Sequence, residues 1–297
     1  MPGGVVRTVA VIGTGRMGGA MAGTITRAGF DTILWNRDPA KAERVAEACG
    51  APVAPSAAEA AAKADVVLTS LADDAALELV YLGDEGVVEG IGPDAVAIDT
   101  STVDPSTVEE VGAAVDATGA GFLDCPVSGS VSTVEAGTLT IMAGGDAELV
   151  DRVRPVLDAL AAKVFHTGGR GSGSATKLAI NSLVHAIDVA LSESLVLAER
   201  AGVDRMTAYD AFASGATGAP FLQYKRASFE DPEGTAVAFT IELQAKDLEL
   251  ITGLAERVGA PMRQTAATYD IVRDAVANGF ADRDLSAIAV FLRGGEA

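Results

Sequence analysis

The sequence predicts an α/β protein: a doubly wound parallel sheet in the N-terminal half, followed by an all-α C-terminal domain. Two observations carry this. From Val5 to about Thr167, short β-branched apolar runs alternate with Ala-rich segments of helical period, the pattern of a sheet covered by helices. After Gly173 the alternation stops and helical periodicity alone remains. A chain of 297 residues exceeds the usual size of one hydrophobic core, so two domains are expected, at 1–165 and 166–297.

The strands expected in order are RTVAVIG, DTILW, DVVLTS, AVAIDTS, GFLDCPV, TLTIMAGG and KVFHTG. The last three extend the sheet in an order the sequence leaves open. The helix after Ile12 opens at Gly15 or Arg16, and the next opens with Asp38 and Pro39, an N-cap followed by a first-turn proline. Ser174 to Ala201 contains no Gly or Pro and has an apolar period through Leu183, Ile187, Leu191 and Leu195. This predicts one helix about 42 Å long, the spine of the second half. AERVGA and TAATYDIVRDAVANG read as helices ending at glycine, and SGATGAP and EDPEGTA as loops.

Composition narrows the partners. Forty-one acidic against 22 basic residues give a net charge of −19, which repels nucleic acid and anionic lipid, so neither is an expected partner. A phosphate site on such a chain must be built locally from backbone NH groups and a few arginines. Cys49 and Cys125 are too few for a disulfide framework and wrongly spaced for a structural metal; a reducing cytoplasm is expected, and no metal. MPGGVVRTVAVIG lacks a leader's apolar segment and cleavage site, and no apolar run reaches membrane-spanning length.

Gly13, Gly15 and Gly18 form GxGxxG directly after VAVI and directly before a helix with Met17, Met21 and Ile25 on its buried side. In that context the first glycine permits the tight turn, the second admits the pyrophosphate, and the third lets helix pack on strand. The motif predicts a Rossmann-type dinucleotide site. DTILW ends in Asn36 and Arg37 with no carboxylate at its tip, and a guanidinium there suits a 2′-phosphate, which favours NADP over NAD. Asp38 could serve the ribose of NAD if the strand ran two residues further; Pro39 marks it instead as a helix start.

On the long helix, Lys177 and Asn181 stand four apart on one face, with Val184 and Asp188 continuing the stripe. The glycine-rich GGRGSGSATK places Lys177 just after a hinge, where an interdomain cleft is expected. His166 and His185, the only histidines, read as structural.

Four segments in order, GTGRMGGAM at 13–21, DCPVSGS at 124–130, GSGSATKLAIN at 171–181 and KDLEL at 246–250, are similar to motifs of the β-hydroxyacid dehydrogenase family. The resemblance runs over nearly the full length. The family includes 3-hydroxyisobutyrate dehydrogenase, tartronate semialdehyde reductase and the glyoxylate or succinic semialdehyde reductases. It implies reversible hydride transfer between NADP (or NAD) and a small carboxylate-bearing substrate, with Lys177 as general acid and base. Ser128 and the backbone of Gly129 and Ser130 would anchor the carboxylate, Asn181 would orient the substrate, and Asp247 would support the same cleft. On the cofactor side it implies Gly13, Gly15, Arg16, Met17, Gly18, Asn36, Arg37, Leu71, Ala72, Thr102 and Lys246. A homodimer or homotetramer is expected on the same ground. Ser130 and Ser182 depart from the glycine and asparagine common in the family. Related imine reductases lack the lysine, and related 6-phosphogluconate dehydrogenases carry a much longer C-terminal domain; a non-catalytic cofactor-binding scaffold is the other alternative.

Overall fold

The computed structural model describes residues 6–295. All seven expected strands form: β1 (Thr8–Ile12), β2 (Asp31–Trp35), β3 (Val66–Thr69), β4 (Val96–Asp99), β5 (Gly121–Asp124), β7 (Leu139–Gly144) and β8 (Ala161–Gly168), together with the two-residue β6 (Val127–Ser128). The sheet order is β2-β1-β3-β4-β5-β7-β6, with β8 also pairing β7. Strands β1 to β5 pair in parallel, β7 is antiparallel to β5 and β6, and β8 runs parallel to β7.

β1, β3 and β4 are buried almost throughout, because helices cover both faces of the sheet. One face packs Val9, Val11, Leu68 and Ile98 against Met21 and Ile25 of α1 (Arg16–Arg27). The other packs Ala10, Val67 and Ala97 against Leu77, Tyr81, Val108 and Val111. The second helix, α2 (Pro39–Cys49), opens as its sequence requires: Asp38 accepts from the Ala40 amide, and Gly50 closes it at φ 76°.

The backbone divides into two compact units, Met1–Lys177 and Leu178–Ala297. The division falls twelve residues beyond the expected 165/166. β8 continues to Gly168, and the first turn of the long helix (Ser172–Arg200) is hydrogen-bonded to Asp124 of β5, so this stretch belongs with the sheet.

Every regular element of the second unit among the described residues is a helix. Its apolar clusters gather Leu178, Val189, Leu248, Ile251 and Ile288 in one place and Leu191, Leu195, Tyr209 and Phe229 in another. The long helix reaches a mean hydropathy of 1.4 over 18 residues, so by length and composition it could cross a membrane. No continuous apolar run stands there, because Ser, Thr, Asn and Asp interrupt it. Core helices share this length and composition, and here Asn181, His185, Asp188 and Ser192 are buried.

Candidate active site

The first unit holds the dinucleotide loop. Gly13 adopts φ +91°, and a Cβ there would collide with the Ser70 carbonyl; at Gly18 it would collide with the Gly13 carbonyl. These positions therefore require glycine. At Gly15 a Cβ would meet nothing within 4 Å, and Gly15 caps α1 without any side chain. The first turn of α1 thus presents amide groups to open space, the arrangement that receives a pyrophosphate.

A cleft of about 420 Å³ opens beside this loop, lined by Gly13, Gly15, Asn36, Arg37, Leu71 and Ala72, six of the expected cofactor residues. Lys41, in the first turn of α2, lines it too; the sequence reading missed it. Neither cation has a carboxylate within ion-pair reach among the described residues, while Asp38 is occupied with capping α2. Asn36 acts as a strut: its Oδ1 accepts from the Thr14 amide at 3.0 Å and its Nδ2 donates to the Asp38 carbonyl at 2.9 Å. Gly18 and Met17 face the sheet, and Arg16 lines a separate groove with Arg27 and Arg44. Thr102 lies half-buried in the turn after β4.

The expected anchor loop follows β6. Ser128 pairs with Thr140, and Gly129 turns at φ +149°, where a Cβ would crowd Leu139 and Thr133. The Ser130 amide donates to Thr133 Oγ1 at 2.7 Å and its hydroxyl pairs with Ser132 at 2.9 Å. Its backbone donor is therefore bonded inside the loop.

Asp124 is a residue whose part the sequence reading missed within its own DCPVSGS motif. It is fully buried, its Oδ1 accepts from the Gly171 amide at 2.9 Å, and its Oδ2 accepts from the Ser174 amide at 2.8 Å. A Cβ at Gly173 would collide with Asp124, so only glycine allows this approach. Burial raises its pKa, against the pull of these backbone donors. The carboxylate clamps the start of the long helix to the sheet, and Lys177, half-buried, sits one turn further on.

Beside Asp124 in register lies Asp99 at the end of β4, and the buried Cys125 follows on the same loop; burial and the two carboxylates push its thiol well above the ordinary range. Burial likewise pushes Asp99 up to about 6, with Ser101 and Thr69 hydroxyls pulling the other way.

The second unit brings three expected residues together. Asn181 donates from Nδ2 to Asp247 Oδ2 at 2.6 Å, and Lys246 Nζ lies 3.0 Å from Asp247 Oδ1. His185 Nε2 lies 3.5 Å from the same carboxylate. Burial alone would raise the Asp247 pKa, but the histidine contact and the lysine charge outweigh it and hold the group below the usual carboxylate range. A turn further along, Gln244 donates to the fully buried Asp188 at 3.0 Å.

A glycine-capped loop on a parallel sheet defines the first unit as a dinucleotide-binding domain. The family described as the NAD binding domain of 6-phosphogluconate dehydrogenase matches residues 8–168, and that described as the NAD-binding domain of NADP-dependent 3-hydroxyisobutyrate dehydrogenase matches 171–292. Glyoxylate/succinic semialdehyde reductase 1 of Arabidopsis thaliana is 33% identical over 280 residues, covering 94% of this chain and 96% of its own. NAD-dependent L-serine dehydrogenase of Pseudomonas aeruginosa is 30% identical over 292 residues, covering 95% and 97%. The solved structure of Mycobacterium tuberculosis 3-hydroxyisobutyrate dehydrogenase with L-serine superposes with a TM-score of 0.85 at 31% identity, covering 97% of this chain and 99% of that one. The chain belongs to the β-hydroxyacid dehydrogenase family of NAD(P)-dependent oxidoreductases.

Proposed function

We propose that the protein interconverts a three- or four-carbon 3-hydroxyacid and its semialdehyde, with NADP(H) as the preferred cofactor and Lys177 as general acid and base. The observation that carries this reading is the Asp124 clamp, which fixes the start of the helix that bears Lys177 to the sheet that also carries the glycine loop and the Ser128 loop. The bound nicotinamide supplies or takes the hydride. Lys177 gives a proton to the substrate oxygen in reduction and takes it back in oxidation. Ser128 and Gly129 hold the carboxylate, and Asn181, one turn beyond Lys177 and kept in place by Asp247, orients the substrate. The names of two of the relatives support this class, since 3-hydroxyisobutyrate and L-serine share a carboxylate with a hydroxyl two carbons away.

The cofactor preference rests on Arg37 and Lys41, two cations that line the cleft alongside Asp38, Asp84 and Glu85 and form no ion pair among the described residues. Arg37→Ala should weaken NADPH by about 1.5 to 3 kcal/mol and NADH far less, measured by fluorescence titration. Equal losses would remove the 2′-phosphate assignment.

The reaction is tested by following nicotinamide absorbance over a panel of small hydroxyacids, semialdehydes, uncharged aldehydes and cyclic imines with both coenzymes. Carboxylates should dominate, and their neutral amides should be nearly inactive, because a site built to bond a charged group rejects analogues lacking it. Lys177→Ala should lower turnover roughly a hundredfold or more with cofactor affinity retained. Near-normal turnover in that variant, or comparable use of uncharged substrates, would sink the reading.

A further inference from the structure

Asp99 combines features that a purely architectural residue would not need. It is 1% exposed, faces Asp124 across the strand pair, and no cation among the described residues balances it. Its Oδ1 accepts from Thr69 Oγ1 and from Ser101 Oγ, both at 2.7 Å, while Oδ2 is buried with no partner among the described residues. A buried carboxylate in this state costs stability, and a neutral side chain could join β3 to β4 more cheaply.

The connection runs onward to the cofactor. Ser101, 3% exposed, accepts the Leu71 amide on the same oxygen at 2.9 Å. A hydroxyl has one proton, and a carboxylate can only accept. The Ser101 proton is therefore directed to Asp99, which leaves a lone pair for Leu71. Leu71 and Ala72 line the dinucleotide cleft, and the 70–72 turn abuts the glycine loop: a Cβ at Gly13 would lie 2.9 Å from Leu71 Cδ2 and collide with the Ser70 carbonyl. A shift of this turn is felt at Gly13.

We propose that Asp99 is a positioning residue for the dinucleotide: it fixes the direction of the Ser101 hydroxyl, which holds the Leu71 amide and thereby the wall of the cofactor cleft. The inference rests on the dinucleotide occupying that cleft. Thr69 supplies the internal control, because its hydroxyl reaches the same carboxylate oxygen but bonds nothing in the cleft wall.

Three variants test it by fluorescence titration with NADH and NADPH, thermal melting, and turnover at saturating cofactor. Ser101→Ala should raise Kd roughly fivefold to tenfold for both cofactors alike, the worth of one lost buried hydrogen bond, with turnover changed by less than about twofold. Thr69→Val should lower the melting temperature yet leave Kd in place. Asp99→Asn, whose amide can turn an NH2 toward Ser101 and reverse its hydroxyl, should reproduce part of the Ser101→Ala loss. Unchanged Kd in Ser101→Ala would overturn the proposal, and so would Kd shifts that merely follow the loss of melting temperature across Ser101→Ala and Thr69→Val. A loss confined to NADPH would also overturn it, by pointing to the 2′-phosphate contacts instead. Failure of the wild-type chain to bind either dinucleotide would overturn the cleft reading itself, and the proposal with it.

Discussion

Asp99 in the first unit and Asp247 in the second are equally removed from water, each 1% exposed, yet their acidities move in opposite directions. Asp99 meets two neutral hydroxyls and a neighbouring carboxylate, and burial wins. Asp247 meets Lys246, His185 and the Asn181 amide, and the partners win. Burial sets the size of the problem; the charge of the partners sets the sign of the answer. Asp38 is a third case, exposed at the rim of the cleft with its carboxylate capping a helix end.

The comparison breaks most readily at Asp247. Asp247→Ala leaves the Asn181 amide without its acceptor and removes the charge that faces Lys246 and the buried His185, so unfolding free energy should fall by about 3 to 5 kcal/mol in a denaturant titration at pH 7. A loss under about 1 kcal/mol would mean that the cluster contributes little.

Asp99 sharpens it through pH. Its folded pKa of about 6 lies above the unfolded carboxylate value. As pH rises between roughly 4 and 6 the unfolded chain has already released this proton while the folded chain still holds it, so stability falls across that window and the full cost stands above it. Asp99→Asn does not titrate. Its stability relative to wild type should climb by about 2 to 3 kcal/mol from pH 4 to pH 7, and a flat difference would refute the assignment. The groups facing Asp99 are Tyr81 from the helix over β3 and Asp124 and Cys125 from β5 and its loop. Asp247, whose value is lowered, should show the opposite trend: its contribution is present above the unfolded value and lost as pH falls through the folded one.

The smallest effect is expected at Asp38. As an N-cap it should cost about 1 kcal/mol on Asp38→Ala, with the NADH to NADPH affinity ratio unmoved. A selective loss of NADH would make it a ribose ligand instead.

These contrasts also explain what could be read in the chain. The strands, the glycine loop and the Asp38 cap are local signals, and each stands where the sequence places it. The face of the long helix was less legible. Leu183, expected inside, is 66% exposed, while Asn181, His185, Asp188 and Ser192 are buried. Apolar periodicity finds the greasy side of a helix, but a polar stripe goes inside when another element brings its complement, and Gln244 and Asp247 lie some sixty residues away. Lys177, Asn181, Lys246 and Asp247 were reached through resemblance of motifs. Asp124 and Asp99 were not, because Asp124 holds backbone amides and Asp99 holds one through the Ser101 hydroxyl, and the sequence does not show which amide lies within reach of a given side chain.

The packing around Cys125 carries a practical consequence for thiol chemistry. Only the thiolate reacts readily with alkylating reagents and peroxides, and this sulfur is buried beside two carboxylates that keep it protonated. Cys49, half-buried at the end of α2, is the sulfur that a maleimide dye meets on the folded chain. Labelling of Cys125 then becomes a clock for transient opening of the sheet's interior, readable by mass spectrometry without an introduced probe.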